Sequence, residues 1–404
     1  MKILLVHNAY KHRGGEDNVF SAERDLLVAA GHCVTAYLRH NDDIAVDGFF
    51  SSAKLATQTI WSWESYRALG ELLRESQPDI VHFHNILPLI SPASYYACVK
   101  AGVPVVQTLH NYRLVCPGGM FLRDGLVCEQ CLGRSIPWPG IAHACYRGSR
   151  AATSGVATML TVHRALRTWQ HGVNVYIALT EFARRKFIEG GLPRERIVVK
   201  PNFVSLDPGV SVSRGDYALF VGRLAQEKGL DILLSCWRQL SNTIPLKIAG
   251  DGPLHDEMES FAAQSSLKSV SFLGRVSSGE ILELMRGARF LVFPSLWFEG
   301  FPLTIAEAYA CGIPVVASRL GAMGEIVEDG RTGLHFKSGD AADLAAKVEW
   351  AWAHEDQMES MGIAARTEYE SKYTAERNYQ MLKEIYESAI RLRVEAAPEN
   401  AAAS

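Results

Sequence analysis

The stretch Tyr217-Ala218-Leu219-Phe220-Val221-Gly222-Arg223-Leu224-Ala225-Gln226-Glu227-Lys228-Gly229-Leu230-Asp231-Ile232-Leu233-Leu234 decides the fold. It opens on a short apolar run without polar alternation, which is how a strand buried on both faces reads. Gly222 ends the run, a polar turn closed by Gly229 follows, and from Leu230 to Leu240 the apolar residues return at helical spacing. A buried strand leading through a turn into an amphipathic helix is the repeating unit of a parallel sheet, because parallel strands must be joined by crossovers.

Outward from this stretch the unit recurs. Leu246–Gly250, Val270–Gly274, Phe290–Pro294 and Pro314–Ser318 read as further strands, with helices at Leu254–Ala263, Ser278–Met285 and Thr304–Ala310. Upstream, Lys2–Val6, Cys33–Leu38, Ile80–Phe83, Val103–Thr108 and Val173–Leu179 are predicted strands, and Asp17–Ala30, Ser65–Glu75, Pro92–Lys100 and Glu181–Glu189 predicted helices. The rhythm breaks at Lys200-Pro201-Asn202. The chain is therefore expected to be α/β, with two Rossmann-like, doubly wound parallel-sheet domains at residues 1–200 and 216–373. Residues 201–215, rich in proline, glycine and serine, are the expected linker. Ligands bind such sheets at the carboxyl ends of the strands, which points to a cleft between the domains. Residues 374–393 read as an amphipathic helix with no strand to serve, and 394–404 as a disordered tail.

Of the 404 residues, 48% are hydrophobic and 21% charged, with 33 glycines and a net charge of -3, and mean hydropathy is zero. That excludes a disordered or collagenous chain. The charge is unevenly divided: residues 1–200 hold 22 basic and 16 acidic side chains, net +6, and the remainder hold 19 and 28, net -9. From Gln130 to Thr180 there is no acidic residue, while Arg134, Arg147, Arg150, Arg164 and Arg167 add positive charge. Such a stretch favours nucleic acid, anionic lipid or a phosphorylated substrate; the plain alternative is an uneven solvated surface. No run reaches the 18 or so apolar residues of a membrane span, and Lys2–Val6 is too short for a signal-peptide core, so a cytoplasmic protein with reduced thiols is expected.

The densest chemistry lies in Phe298-Glu299-Gly300-Phe301-Pro302-Leu303-Thr304-Ile305-Ala306-Glu307-Ala308. Glu299 falls in a glycine-containing turn after a strand and Glu307 within the next helix. Between them the amides of Leu303 and Thr304 open that helix, and free amides with a helix dipole make an anion site. Carboxylates accept hydrogen bonds from sugar or ribose hydroxyls, so two of them flanking an anion site suit a nucleotide-sugar. In the opening stretch, Arg223 and Lys228 straddle a strand-to-helix turn, within reach of one diphosphate. Gly250-Asp251-Gly252-Pro253 is a tight turn that admits close ligand approach. In the first half, Arg13-Gly14-Gly15-Glu16 lies between the first strand and helix. It is no dinucleotide fingerprint, since no G-x-G-x-x-G follows Val6 and the second strand ends in Leu38-Arg39 rather than an acidic residue. His110 ends the fourth strand.

These motifs resemble the retaining glycosyltransferases of family 4, also called group 1, over roughly residues 1–393. The resemblance implies the GT-B fold, with the first half as acceptor domain and the second as donor domain, and residues 374–393 crossing back. It implies that Glu299 contacts donor-sugar hydroxyls, Glu307 the ribose, and Arg223 and Lys228 the diphosphate. Asp251 and Gly252 would line the donor site, Arg275 and Val276 would hold the nucleobase, and the Gly14 and Gly15 amides would meet the diphosphate. His110 matches a histidine beside the transferred sugar. The family retains anomeric configuration, by same-face attack with the departing phosphate taking the acceptor proton, and no catalytic cofactor or metal is implied.

Cys116, Cys128, Cys131 and Cys145 lie in the insert 110–146, spaced C-x₁₁-C-x₂-C-x₁₃-C. A structural zinc ion is one reading, plain buried thiols a second, redox or iron–sulfur chemistry a third. Arg147–Trp169 reads as an amphipathic helix that inserts at an anionic membrane surface or recognises a lipid-linked diphosphate, or else as a core helix with snorkelling arginines. Trp61, Trp63 and Trp138 read either as an acceptor groove or as core.

The expected function is transfer of a sugar from a nucleotide-sugar donor to a glycan or polyprenyl-lipid-linked acceptor, in surface-polysaccharide biosynthesis, peripheral to the inner face of the membrane and without nucleic acid as partner. Two rivals are a sugar-nucleotide epimerase on the same fold, which needs no acceptor, and a zinc-stapled nucleic-acid-binding protein, whose affinity falls steeply with salt.

Overall fold

Parallel pairing organises both halves of the chain, as the strand-turn-helix repeat requires. The structure is a computed structural model that describes all residues except 12–13, 45–48, 211–214, 241 and 401–404; the side chains of 49–53 and 393–400 are also outside the description. Arg13 and part of the expected linker fall among the undescribed residues.

The strands are β1 (Lys2–Ala9), β2 (Cys33–His40), β3 (Ile80–Phe83), β4 (Val105–Leu109), β5 (Leu122–Arg123), β6 (Leu126–Val127), β7 (Val175–Ala178), β8 (Ile197–Val199), β9 (Ala218–Val221), β10 (Leu246–Ala249), β11 (Val270–Gly274), β12 (Phe290–Phe293), β13 (Val315–Ser318) and β14 (Gly333–Phe336). Six form one parallel sheet in the order β2-β1-β3-β4-β7-β8, and six a second in the order β11-β10-β9-β12-β13-β14. The two doubly wound sheets agree with the predicted fold class. Each carries an edge strand the apolar pattern did not reveal. β8 is three residues long and follows the charged Arg194-Glu195-Arg196, and β14 is broken up by Gly333 and His335. An edge strand is covered on fewer sides and needs less apolar sequence.

By contacts the chain divides into two units. The first comprises Met1–Phe121, Glu129–Pro201 and the chain from Asn378; the second comprises Leu122–Cys128 and Asn202–Arg377. In the first unit, Ile3 and Leu5 of β1, Ile80 of β3, Val106 of β4 and Val175 and Ile177 of β7 face a common apolar cluster. Phe20 and Leu27 of the helix Gly15–Ala29 join it, as do Leu382, Tyr386 and Ala389 of the chain's last helix, Ala375–Asn400. In the second unit, Phe220, Ile248, Val292 and Val316 pack with Leu233 and Trp237 of the helix Leu230–Gln239, Leu344 and Val348 of Ala341–Ala353, and Met358 of Glu355–Lys372.

Three expected boundaries change. The first ten residues of the expected linker are not a free tether: Val204 donates its amide to Tyr373 O at 3.0 Å, and Arg366 grips both Asp207 carboxylate oxygens at 2.6 Å. Leu122–Cys128, expected within an insert of the first domain, forms the antiparallel β5–β6 hairpin and belongs to the second unit, its tip Gly125 lying beside Gln226. The last helix runs to Asn400 instead of ending at residue 393. Along Arg147–Trp169 the helix occupies Arg150–Ala165, and Met159 and Leu160 face the protein interior. The core-helix reading fits these two residues, whereas Val162 is half-buried and Leu166, just past the helix, is exposed.

In the second unit, backbones meet closely where the strands end. Gly250 has φ +143°, and a Cβ there would lie 1.9 Å from Gly222 O; its amide donates to Gly274 O at 2.8 Å. The ends of β9, β10 and β11 are thus drawn together at a point only glycine tolerates. Gly250→Ala is expected to destabilise the protein by about 1–3 kcal/mol, from backbone strain and forced separation of β9 and β10. Urea denaturation followed by tryptophan fluorescence measures this; an unchanged midpoint would refute the packing argument.

Candidate functional site

The carboxyl edge of the second sheet gathers the acidic and basic residues singled out in the sequence. β9 ends in Gly222, the turn runs through Arg223 and the 3₁₀ segment Gln226–Lys228, and Gly229 turns into the helix Leu230–Gln239 with φ +69°. A Cβ on Gly229 would lie 2.2 Å from Pro294 O, so this turn presses directly on the loop leaving β12. Two further bonds join them: Leu296 N donates to Glu227 O at 2.9 Å and Ser295 Oγ to the same oxygen at 3.2 Å.

That close approach brings Lys228 to Glu299. Lys228 Nζ donates to Glu299 Oε1 at 2.7 Å, and Ser295 Oγ and Trp297 Nε1 donate to the same oxygen, each at 2.8 Å. The Lys228 ammonium also sits over the rings of Phe293 and Trp297, at 5.5 and 5.8 Å from their centroids. Glu299 is 6% exposed. A carboxylate so enclosed is held in one orientation, and its charge is balanced by a cation that retains two further N–H donors for a ligand.

Four residues beyond Glu299 the helix Leu303–Ala310 begins. Its N-cap is Pro302, which has no side-chain acceptor, and the first amides, of Leu303 and Thr304, have no acceptor within the helix. Glu307 lies one turn further on, half-buried, and burial pushes its carboxyl up to about 7. Arg223, Asp251 and Arg275 are exposed, and Gly252 and Val276 half-exposed, at the ends of β9, β10 and β11. Leu224 N donates to Asp251 O at 3.0 Å, while Asp251 Oδ1 accepts from Gly252 N at 2.7 Å. The second unit therefore brings Arg223, Lys228, Asp251, Gly252, Arg275, Val276, Glu299, Leu303, Thr304 and Glu307 to one edge.

In the first unit, Gly14 and Gly15 start the helix Gly15–Ala29. Gly14 N donates to Asp17 Oδ2 at 2.8 Å, Tyr10 N donates to Asp17 Oδ1 at 3.2 Å, and His7 Nε2 lies 2.8 Å from Asp17 Oδ1. Burial acts to raise the Asp17 carboxyl, and these bonds outweigh it, so it titrates below the ordinary range. A Cβ on Gly15 would meet nothing within 4 Å, which leaves room for close approach to the backbone. Glu16, beside it, accepts from Tyr10 OH at 2.9 Å and from Asn111 Nδ2 at 2.8 Å.

His110 follows β4, and its Nε2 lies 2.9 Å from Nδ1 of His84, which follows β3. His84 Nε2 lies 3.5 Å from Glu23 Oε2, and Lys200 Nζ 3.1 Å from Glu23 Oε1. His82 bonds Tyr386 OH through Nδ1 at 2.8 Å and Thr108 Oγ1 through Nε2 at 2.7 Å. Burial lowers His82 and His110 to about 3 and His84 well below its ordinary value, so all three are neutral near pH 7. Among the described residues, Glu23, His82 and His84 are the one set whose ligand atoms lie within metal-binding distance of one another. Both His82 nitrogens are already engaged and the Lys200 ammonium supplies the cation beside Glu23, so the donor set does not fit a metal ion.

Among the described residues, Cys116, Cys128, Cys131 and Cys145 do not assemble a comparable set. Cys131 is buried, with Sγ 3.8 Å from Pro137 O, and Cys128 lies in the segment assigned to the second unit. Trp63 and Trp138 are exposed, whereas Trp61 stacks on His163.

Sequence reasoning missed Ser295 and Trp297, and the set of His82, His84, Glu23 and Lys200. A signal for the second group was present in Ile80-Val81-His82-Phe83-His84, where two histidines interrupt an otherwise fully apolar strand end.

Comparison with known proteins agrees with this geometry. The family described as glycosyl transferases group 1 matches residues 209–368, and that described as glycosyltransferase family 4 matches residues 24–208. An uncharacterized glycosyltransferase of Methanocaldococcus jannaschii is 33% identical over 196 residues, 48% of this chain and 54% of that protein. A glycogen synthase of Mycobacterium tuberculosis is 33% identical over 283 residues, 68% of this chain and 60% of its own length. The chain thus spans roughly half the length of these curated relatives. Among solved structures, a glycosyltransferase from Rickettsia africae superposes with TM-score 0.68 at 16% identity, covering 96% of this chain and 98% of that one. HepE of Anabaena, solved in complex with UDP and glucose, gives 0.67 at 19% identity, covering 96% of this chain and 100% of that one. These likenesses identify the fold as GT-B.

The raised Glu307 carboxyl has a stability consequence. Between its ordinary value of 4.5 and about 7 the folded protein holds a proton that the unfolded chain releases, so Glu307 makes stability fall as pH rises through that window and level off above it. Glu307→Gln is expected to remove this component, which urea midpoints at pH 5 and 7.5 compare directly. An identical pH dependence in variant and parent would count against the burial of this carboxyl.

Proposed function

The chain belongs to the group 1, family 4 glycosyltransferases, and on that footing we propose that it moves a sugar, with retention of anomeric configuration, from a nucleotide-sugar to a glycan or polyprenyl-lipid-linked acceptor in surface-polysaccharide assembly. The observation that carries this reading is the Lys228–Glu299 pair, 2.7 Å apart and buttressed by Ser295 and Trp297, immediately ahead of the uncapped helix Leu303–Ala310.

Breaking a glycosyl–phosphate bond leaves negative charge on the diphosphate and positive charge on the anomeric carbon. Lys228, Arg223 and the amides of Leu303 and Thr304 meet the first, and Lys228 and the amides are donors fixed before the reaction begins. Glu299, unable to turn away because three donors hold Oε1, accepts from hydroxyls of the donor sugar and keeps the ring in place. Glu307, once ionised, accepts from the ribose. Asp251, Gly252, Arg275 and Val276 border the nucleobase end of the same edge, where backbone groups read the ring. In this reading the departing phosphate takes the acceptor proton, and no protein base and no cofactor is invoked.

The acceptor is assigned to the first unit, whose part of the sequence supplies the net positive charge suited to a phosphate-bearing acceptor or an anionic membrane surface. The Gly14–Gly15 loop and His110 are its contributions to the reaction. D-rhamnosyltransferase WbpZ of Pseudomonas aeruginosa and O-antigen chain mannosyltransferase C of Escherichia coli, both partial relatives, support the polysaccharide setting.

A panel of nucleotide-sugars tested for thermal stabilisation is expected to yield one or more that raise Tm by about 5 °C or more near 100 times Kd. With the donor found, Lys228→Ala and Glu299→Ala should each lower transfer at least about 100-fold while Tm of the free protein stays within a few degrees. Full activity in either variant would sink the site assignment, and product NMR showing an inverted anomeric centre would sink retention. Donor affinity should tighten as pH rises through about 7 and lose that dependence in Glu307→Gln.

A further inference from the structure

Behind His110 runs a chain of buried polar groups for which the proposed transfer has so far given no role. Lys200, Glu23 and His84 are 1, 1 and 2% exposed. Lys200 Nζ lies 3.1 Å from Glu23 Oε1, Glu23 Oε2 lies 3.5 Å from His84 Nε2, and His84 Nδ1 lies 2.9 Å from His110 Nε2. Asn378, on the last helix, accepts from Lys200 Nζ at 3.2 Å and donates to Pro201 O at 2.8 Å, which holds the far end of the chain. The helix bearing Glu23 and the end of β4 therefore meet on the ring of His84, with Lys200, after β8, behind Glu23.

The chemistry of this chain decides where the protons are. A buried carboxylate requires donors around it, and His84 Nε2, which has no other hydrogen-bond partner, is the ring atom facing Glu23. The proton of His84 therefore belongs on Nε2. The ring being neutral, its Nδ1 is an acceptor, and the hydrogen bond at 2.9 Å must be donated by His110 Nε2–H. That leaves Nδ1 of His110 as a bare acceptor. The reverse assignment would turn a ring lone pair on the Glu23 carboxylate with no water to relieve it.

We propose that Glu23 and His84 are positioning residues that lock His110 in the Nε2-protonated tautomer, so that its Nδ1 accepts a hydrogen bond from a hydroxyl of the transferred sugar. The inference rests on the glycosyltransferase reading above, in which His110 meets that sugar. A site built to accept from one hydroxyl also rejects donors lacking it, since the unpaired nitrogen is then left without a partner. Lys200 Nζ, 3.1 Å from Glu23 Oε1, occupies that oxygen and leaves Oε2 to face His84.

The decisive experiment is ¹⁵N–¹H correlation of histidine side chains in the full chain at neutral pH, with His110 assigned by substitution. In the parent protein Nδ1 of His110 is expected to be unprotonated and Nε2 protonated; the opposite pattern overturns the proposal without any variant. In Glu23→Gln, the Lys200 ammonium claims the amide oxygen and the amide NH₂ turns to His84, so both tautomers should reverse. In Glu23→Gln combined with Lys200→Met, the oxygen is released to accept from His84 and the original pattern should return. Transfer should follow the tautomer, falling about tenfold in kcat/KM in the single variant and recovering in the double. Tautomers that do not respond to Glu23→Gln, or that reverse with transfer unchanged, overturn the proposal. Tautomers as expected in a protein that transfers no sugar sink the glycosyltransferase reading, and the sugar-facing role with it.

Discussion

Everything in this protein follows from parallel strand pairing. A parallel strand cannot return to its neighbour through a tight turn, so each is followed by a crossover, and all strands of a sheet finish on the same edge. With order β2-β1-β3-β4-β7-β8 in one unit and β11-β10-β9-β12-β13-β14 in the other, each carboxyl edge collects the loops that follow the strands. These loops carry polar and charged side chains: His84, His110 and Lys200 in the first unit, Arg223, Lys228, Asp251, Arg275 and Glu299 in the second.

Collecting loops on one edge is not enough; their side chains must also be held. In the second unit the means is backbone contact. Glycine at positions 229 and 250 lets the turn after β9 touch Pro294 O and Gly222 O touch the chain after β10, distances no side chain would permit. The turn bearing Lys228 is thereby fixed against the loop bearing Glu299, and the ion pair follows from the glycines as much as from the charges. In the first unit the means is buried hydrogen bonding. His7, Asp17 and the Gly14 amide hold the glycine loop, and Lys200, Glu23 and His84 stand behind His110. Buried polar contacts of this kind resist rotation of their members because each one broken leaves a polar group without water.

The uneven charge along the chain takes on meaning in this setting. The second unit carries the net negative half of the sequence, yet its carboxyl edge presents Arg223, Lys228 and the open end of the helix Leu303–Ala310. Local donors, not total charge, determine where an anion is stabilised. The arginine-rich stretch of the first unit includes a helix that turns Met159 and Leu160 to the interior.

The sequence by itself determined the repeating strand-turn-helix plan, the helix Glu181–Glu189 to the residue, and the neighbourhoods of Lys228, Glu299 and Glu307, because periodicity and turn chemistry are local properties of the chain. It did not reveal β8 and β14, whose edge positions demand little apolar sequence, nor the docking of residues 202–210 on the second unit. Four cysteines at suggestive spacing did not predict their own arrangement, since the hairpin Leu122–Cys128 packs with residues far along the chain. Ser295, Trp297, Glu23 and Lys200 could be recognised only in three dimensions, and His84, hinted at by two histidines in an apolar strand end, found its partners only there. Which strand ends become neighbours depends on the order of strands in the sheet, and pairing between residues such as Glu23 and Lys200 leaves no trace in the local pattern. Tertiary structure alone decided those contacts, because they depend on which backbones approach closely enough to exclude water.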